Sequence, residues 1–115
     1  MCTLNVLDAQ VVDSKHGRLL VEGQEVLACG PLPSGQVKLS LRPERLSIEP
    51  HPGDENHLAG TLSNIIFLGS IVRLVIGTGT KDIFLDTFNT PRLALPAVGA
   101  QVSIGFSKEA CLVME

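Results

Sequence analysis

Two short stretches decide the fold of this 115-residue chain: QVKLSLRPERLSI at residues 36–48 and QVSIGFSKEACLV at residues 101–113. In each, apolar residues alternate with polar or small ones, and this period of two predicts a strand with one buried face. Placing Gln36 over Gln101 also sets Glu44 over Glu109 and aligns the closing strands, without a gap. A strand, a turn and a second strand that match in a single register indicate an internal duplication.

Strand and turn signals fill most of the remaining chain. Residues 18–22 and 24–28 predict a hairpin that turns at Gly23. Residues 71–76 and 81–86 predict a second hairpin around a Gly-Thr-Gly turn. No window of ten or more residues shows capped helical periodicity, so the chain is predicted to consist of strands and turns.

The duplication predicts an all-β fold of paired small barrels of the oligonucleotide/oligosaccharide-binding (OB) type. Closing a sheet removes its exposed edges, and two small barrels that share a core reach adequate burial. We expect residues 1–49 to form the first OB-like half and residues 58–115 to form the second. The polar segment at residues 50–57, which holds two prolines and a glycine, is the expected linker.

The composition argues against several classes of protein. The net charge is −3, and the chain has four Phe but no Trp or Tyr. It therefore lacks the basic groove and the stacking side chains of a single-strand nucleic-acid binder. No apolar run approaches the length of a membrane span and no signal peptide is evident, so we expect no membrane insertion. Three widely spaced cysteines favour reduced, mostly buried thiols in a cytoplasmic protein.

No residue pattern predicts a catalytic, cofactor or metal site. The run GTGTK at residues 77–81 is too short for a phosphate-binding loop, and we expect a hairpin turn there. Asp82 and Asp86 would lie about 13 Å apart on a strand, too far for a carboxylate dyad, and are expected on a solvated face. His51 and His57 share a polar loop that lacks the rigid ligand spacing of a metal site.

Three motifs, in the expected order, resemble the transport-associated OB domain called TOBE. Residues 37–46, VKLSLRPERL, are similar to its strand and Arg-Pro-Glu signature. Residues 59–70, AGTLSNIIFLGS, resemble its Phe-Leu-Gly segment, and residues 99–106, GAQVSIGF, resemble its closing strand. The resemblance covers about residues 35–114, and the order of the motifs makes it more specific than any one of them.

The resemblance implies a non-catalytic regulatory and dimerisation domain at the C-terminus of the ATP-binding subunit of an ABC-type importer. Its partners would be its own copy, the ATPase core and the transmembrane permease subunits, at the inner face of the cell membrane. No cofactor is expected in this part; ATP and Mg²⁺ would belong to an ATPase core that this sequence lacks. The expected turn and interface residues are Arg42, Pro43, Glu44, Phe67 and Gly69.

The residues are also consistent with a structural role for the Arg-Pro-Glu turn and with two other functions. Arg42 and Glu44, on either side of the rigid Pro43, can have the purely structural role of locking a turn, and Pro43 suits the first position of a helical turn. Related paired barrels bind oxyanions at backbone N–H groups between subunits, so a small-oxyanion-binding module is an alternative function. The chain offers no basic cluster in its favour. A single-strand nucleic-acid-binding OB domain is a further, disfavoured alternative.

Overall fold

The computed structural model describes residues 4–48, 54–79, 81–91 and 94–114. Within these ranges the chain forms nine strands and two single turns of 3-10 helix. They are, in order, β1 (Asn5–Asp13), β2 (Arg18–Val21), β3 (Gln24–Leu27), β4 (Gln36–Leu41), η1 (Pro43–Arg45), β5 (Asn56–Phe67), β6 (Ile71–Gly77), β7 (Asp82–Phe88), β8 (Gln101–Phe106), η2 (Lys108–Ala110) and β9 (Leu112–Met114). No helix in the described ranges is long and apolar enough to cross a membrane.

The strands form two curled antiparallel sheets. The first has the order β3-β2-β1-β4-β9, and the second has the order β7-β6-β5-β8. The fold is therefore all-β, and the predicted pair of OB-like barrels is confirmed. Both predicted hairpins are present, as β2–β3 and β6–β7. Pro43 occupies the first turn of η1, as its fixed backbone angle favours.

The closing segment of each half pairs with the sheet of the other half. Strand β9 pairs with β4 of the first sheet, where Leu112 lies opposite Ser40. Ser47, which follows η1, pairs with Gly105 of β8 through reciprocal N–H···O bonds of 2.9 and 2.6 Å. In the register of the sequence repeat, Ser40 lies over Gly105 and Ser47 over Leu112. The two contacts are therefore the same contact seen from each half.

The pairing of each closing segment with the other half bears on the predicted division into two halves and a linker. Strand β9 comes from the predicted second half, residues 58–115, but completes the first sheet. Of the predicted linker at residues 50–57, residues 50–53 lie outside the described residues, and β5 already begins at Asn56. The division into 1–49, 50–57 and 58–115 stays a prediction.

A hydrophobic core lies on the inner faces of both sheets. Burial alternates along β1 and along the beginning of β4, as the period of two predicts. Equivalent positions of β4 and β8 are fully buried: Leu39 with Ile104, and Leu41 with Phe106. The shared burial suits a chain whose halves are each too small to build a large core alone.

Two buried asparagines tie the sheets together at equivalent positions. Asn5, at the start of β1, donates to the carbonyl of Phe84 at 2.8 Å and accepts from its N–H at 2.9 Å. Asn56, at the start of β5, donates to the carbonyl of Leu27 at 2.8 Å and accepts from its N–H at 2.7 Å. Each side-chain amide thus pairs with the N–H and the C=O of one residue on the edge strand of the other half, as a neighbouring strand would. Sequence patterns did not predict these contacts.

Candidate functional site

The Arg-Pro-Glu turn closes the first repeat unit. Pro43 is buried, whereas Arg42 and Glu44 are exposed. The backbone N–H of Arg45 donates to the carbonyl of Arg42 at 3.0 Å, and η1 packs against β7. The turn is therefore held by its backbone and by the burial of Pro43. An interface role for Arg42, Pro43 and Glu44 stays a prediction.

The Phe-Leu-Gly segment forms the tip of the β5–β6 hairpin. Gly69 has φ of +84°, a left-handed conformation that favours glycine. The side chain of Asn89 donates to the carbonyl of Gly69 at 3.1 Å, which braces the tip from the end of β7. Phe67 is 65% exposed, and Phe88 is 72% exposed. The predicted interface role of Phe67 and Gly69 is not decided by this geometry and stays a prediction.

Each half contains a cleft at the same place in its sheet. Both clefts lie between the first strand of the half, the turn of its hairpin and the strand that follows. The first cleft is lined by Asp8, Ala9, Gln10, Leu20, Glu22, Gly23, Gln36, Val37 and Lys38. The second is lined by Ala59, Gly60, Thr61, Gly77, Thr78, Gly79 and Gln101. The duplication therefore produces two equivalent concave sites.

The first cleft is charged. Asp8 lies opposite Lys38 in the β1–β4 ladder, and the two side chains form an exposed ion pair. The hydrogen bond from Lys38, together with its positive charge, holds the pKa of Asp8 below its usual value. Glu22 adds a second carboxylate from the hairpin turn. With two carboxylates and one lysine, this cleft does not favour an anion.

The second cleft is polar but has no ionisable residue among its described lining residues. Where the first half has Asp8 opposite Lys38, the second has Ala59 opposite Ser103. The hydroxyls of Thr61 and Thr78 and the amide of Gln101 are the hydrogen-bonding side chains of the cleft. Its volume of about 230 Å³ is suited to a small ligand.

Glycines shape this second cleft. A Cβ on Gly60 would lie 2.6 Å from Cγ2 of Ile76 and 2.9 Å from the carbonyl oxygen of Gly77. Gly79 has φ of +117°, which other residues rarely adopt. The N–H and the hydroxyl of Thr78 both donate to the carbonyl of Lys81, at 3.0 and 3.1 Å. The predicted hairpin turn is thus confirmed.

The expectation that Asp82 and Asp86 both lie on a solvated face is wrong for Asp86. Asp82 is exposed, but Asp86 is half-buried and accepts two hydrogen bonds from Arg73, at 2.8 and 3.0 Å. The hydrogen bond to Asp86 raises the pKa of Arg73. The Arg73 guanidinium also lies 5.3 Å from the centre of the Phe84 ring. Cross-strand pairing within the β6–β7 hairpin, where Arg73 lies opposite Asp86, brings these groups together.

The expected burial of the cysteines holds only in part. Cys2 lies outside the described residues, Cys29 is exposed and Cys111 is half-buried. Burial raises the pKa of the Cys111 thiol to about 12, so this thiol stays neutral near pH 7. Of the two loop histidines, His51 lies outside the described residues, and His57 is exposed on β5.

Comparisons with known proteins agree with the motifs. A family model described as the TOBE domain matches residues 39–114. No curated protein matches the chain. A solved structure of ModG, described as a cytoplasmic molybdate-binding protein and crystallised with molybdate bound, superposes with a TM-score of 0.76. The match has 18% sequence identity and covers 96% of this chain and 94% of the ModG chain.

These findings correct the main functional prediction. The assignment as a regulatory and dimerisation domain of an ABC importer ATP-binding subunit is wrong. The same architecture makes up 94% of the chain of a molybdate-binding protein, so the fold does not need an attached ATPase core. The Arg-Pro-Glu and Phe-Leu-Gly motifs form turns of this fold. A motif that is needed for the fold does not by itself identify a function in an importer. The TOBE domain and ModG are binding modules and not enzymes, in line with the expected lack of catalysis in this stretch.

Proposed function

The chain belongs to the TOBE domain family, and from that premise we propose that it is a non-catalytic module that binds a small oxyanion. The observation that carries the proposal is the second cleft, whose described lining residues are small or polar and include no ionisable group. The oxygens of an oxyanion accept hydrogen bonds, so their site needs donors, and carboxylates among the lining residues weaken binding. The first cleft, which is lined by Asp8 and Glu22, is therefore less suited to an anion.

Neutral donors suit this task without a basic cluster. Hydroxyl and amide groups are dipoles that stabilise an anion. Thr61 and Gln101 face the cleft from neighbouring strands, opposite one another in the β5–β8 ladder. The glycine turn at residues 77–79 forms the opposite wall. Thr61 and Gln101 therefore place donors on one side of a small, concave volume.

The fold likeness to ModG supports the choice of ligand class. ModG is described as binding molybdate, and its chain matches this one over nearly the whole length of both. At 18% identity the likeness concerns the fold, so the residues of the proposed site are taken from this chain alone. Molybdate, tungstate and sulfate are the tetrahedral oxyanions with which to begin.

Thermal unfolding of the purified chain tests the proposal. An anion at about ten times its dissociation constant stabilises the fold by about 1.4 kcal/mol, roughly 5 °C for a domain of this size. Millimolar molybdate, tungstate or sulfate should therefore raise the melting temperature above that in chloride of equal ionic strength. No shift with any of the three would contradict the proposal.

A matched pair of variants locates the site. Thr61→Val removes a hydroxyl from the second cleft and should weaken anion binding about fivefold, the effect of one lost hydrogen bond. Thr87→Val makes the same change on β7, away from the described lining residues of the cleft, and should leave the affinity unchanged. Equal effects of the two variants would place the anion elsewhere.

We also propose that the partner is a second copy of this chain and that the location is the cytoplasm. The exposed apolar side chains of Phe67, Leu68 and Phe88 support self-association. The location follows the description of ModG as cytoplasmic. Sedimentation at micromolar concentration tests the partner, and a monomer there would contradict it. ATP, Mg²⁺, the ATPase core and the permease followed only from the importer assignment and are not proposed.

A further inference from the structure

The rim of the second cleft carries negative charge from outside its described lining. A carboxylate oxygen of Glu22 lies 2.9 Å from the place where a Cβ on Gly79 would be, so it contacts the glycine turn directly. Glu22 belongs to the β2–β3 turn, which is the equivalent turn in the first half. The Asp82 carboxylate approaches the same turn from the other end, 3.5 Å from the corresponding position on Gly77. Two carboxylates therefore flank the glycine turn, and Lys81 lines an adjoining cleft together with Glu22.

The backbone gives no reason for glutamate at position 22. Glu22 has φ of +51°, a left-handed conformation, and the next residue, Gly23, has φ of +80°. Asparagine, aspartate and glycine suit such a hairpin turn better than glutamate does. The long side chain is what reaches the second half, since aspartate would leave its carboxylate further from Gly79 and asparagine and glycine have no carboxylate.

We infer that Glu22 makes the second cleft discriminate between oxyanions by charge, favouring singly charged over doubly charged ones, an inference that rests on the proposed oxyanion site. A fixed negative charge at the rim repels an anion in proportion to the charge of that anion. Two tetrahedral oxyanions of similar size but different charge therefore differ in affinity. Asp82, which belongs to the same half as the cleft, adds to this repulsion.

Molybdate and perrhenate are suitable probes because both are tetrahedral oxyanions of similar size, the first doubly and the second singly charged. Coulomb repulsion at a separation of about 7 Å in water, reduced by salt, corresponds to about fivefold in affinity for the dianion and about twofold for the monoanion. Glu22→Gln should therefore raise the affinity for molybdate about fivefold and that for perrhenate about twofold. The affinity for molybdate divided by that for perrhenate, measured by calorimetric titration, should therefore increase about 2.5-fold.

Glu25→Gln is the matched control. It removes the same charge from the same hairpin, but Glu25 lies on β3 and faces Arg18 at 3.7 Å. The control should leave the ratio of affinities unchanged. Glu22→Asn also removes the charge, and asparagine suits the positive φ of this position. This variant replaces Glu22→Gln in the titrations if Glu22→Gln disturbs the turn. A structural role for Glu22 would change the affinities for both anions by the same factor.

The possible outcomes separate the two proposals. If neither anion binds the natural chain or the Glu22 variants, the oxyanion function fails, and the charge discrimination fails with it. If both anions bind and Glu22→Gln leaves their ratio unchanged, or if Glu25→Gln changes it equally, the role of Glu22 is refuted while the oxyanion function stands. A shift towards molybdate in Glu22→Gln alone supports the inference.

Discussion

The two halves of this domain have the same succession of strands, yet their equivalent clefts carry different side chains. In the first half the strand pair next to the cleft presents Asp8 opposite Lys38; in the second half the same pair is Ala59 opposite Ser103. The backbone framework is repeated, and the charge is not. The duplication therefore explains the fold, whereas the differences between the copies decide which cleft has ionisable lining residues.

The halves also depend on each other. β9 completes the first sheet and Ser47 extends the second, so each sheet contains chain from both halves. The asparagine contacts and the approach of Glu22 to Gly79 cross between the halves in the same way. We expect the two halves to unfold together, since neither sheet keeps all its hydrogen bonds without the other.

The asparagine pair gives the largest expected effect and tests whether the halves are equivalent. Asn5→Ala and Asn56→Ala each remove two hydrogen bonds and leave a backbone N–H and C=O of the other half unpaired. Each should destabilise the fold by about 2–4 kcal/mol. Asn64→Ala, which removes only an exposed local contact on β5, should cost less than about 1 kcal/mol.

Denaturant unfolding measures these changes and the cooperativity at once. Similar losses for Asn5→Ala and Asn56→Ala, each within a single transition, are expected if the halves form one unit. Two separate unfolding transitions, or a loss of stability in only one of the two variants, would show that the halves are not equivalent.

A glycine that differs between the halves gives an intermediate effect. Gly60 in the second half occupies the place of Ala9 in the first, because each pairs with an equivalent valine, Val102 or Val37. Gly60→Ala introduces a Cβ 2.6 Å from Cγ2 of Ile76 and should cost about 1–3 kcal/mol. The reverse change in the first half, Ala9→Gly, should cost about 0.5–1 kcal/mol through chain entropy. Equal costs, measured by thermal unfolding, would mean that the close approach at Gly60 is not specific to the second half.

The smallest effect concerns the ion pair that only the first half has at this position. Because Lys38 holds the pKa of Asp8 below its unfolded value, the stability that the pair contributes is present above about pH 4. It is lost as the pH falls through the lowered pKa of the folded state. A double-mutant cycle of Asp8→Asn and Lys38→Met should show a small favourable coupling at pH 6 that disappears towards pH 2. A coupling that is the same at both pH values would contradict this account.

Much of the fold was predictable from local sequence, and part of the site was not. The alternation in residues 37–41 and 102–106 predicted β4 and β8, and the repeat register predicted their equivalence. The second cleft gave a partial signal, since its GTG turn was recognised as a hairpin and its glycines are visible in the sequence. The carboxylate of Glu22 beside Gly79 gave none, because a tertiary contact between two turns leaves no periodic pattern.

The sequence by itself determined the strands, the hairpin turns and the duplication, because each depends on alternation and turn residues within a few positions of one another. Tertiary structure alone decided that the closing strands cross between the halves and that Asn5 and Asn56 reach edge strands 79 and 29 positions away. Such contacts depend on how the two sheets pack, and the free energy of packing is set by distant side chains that meet only in the folded chain.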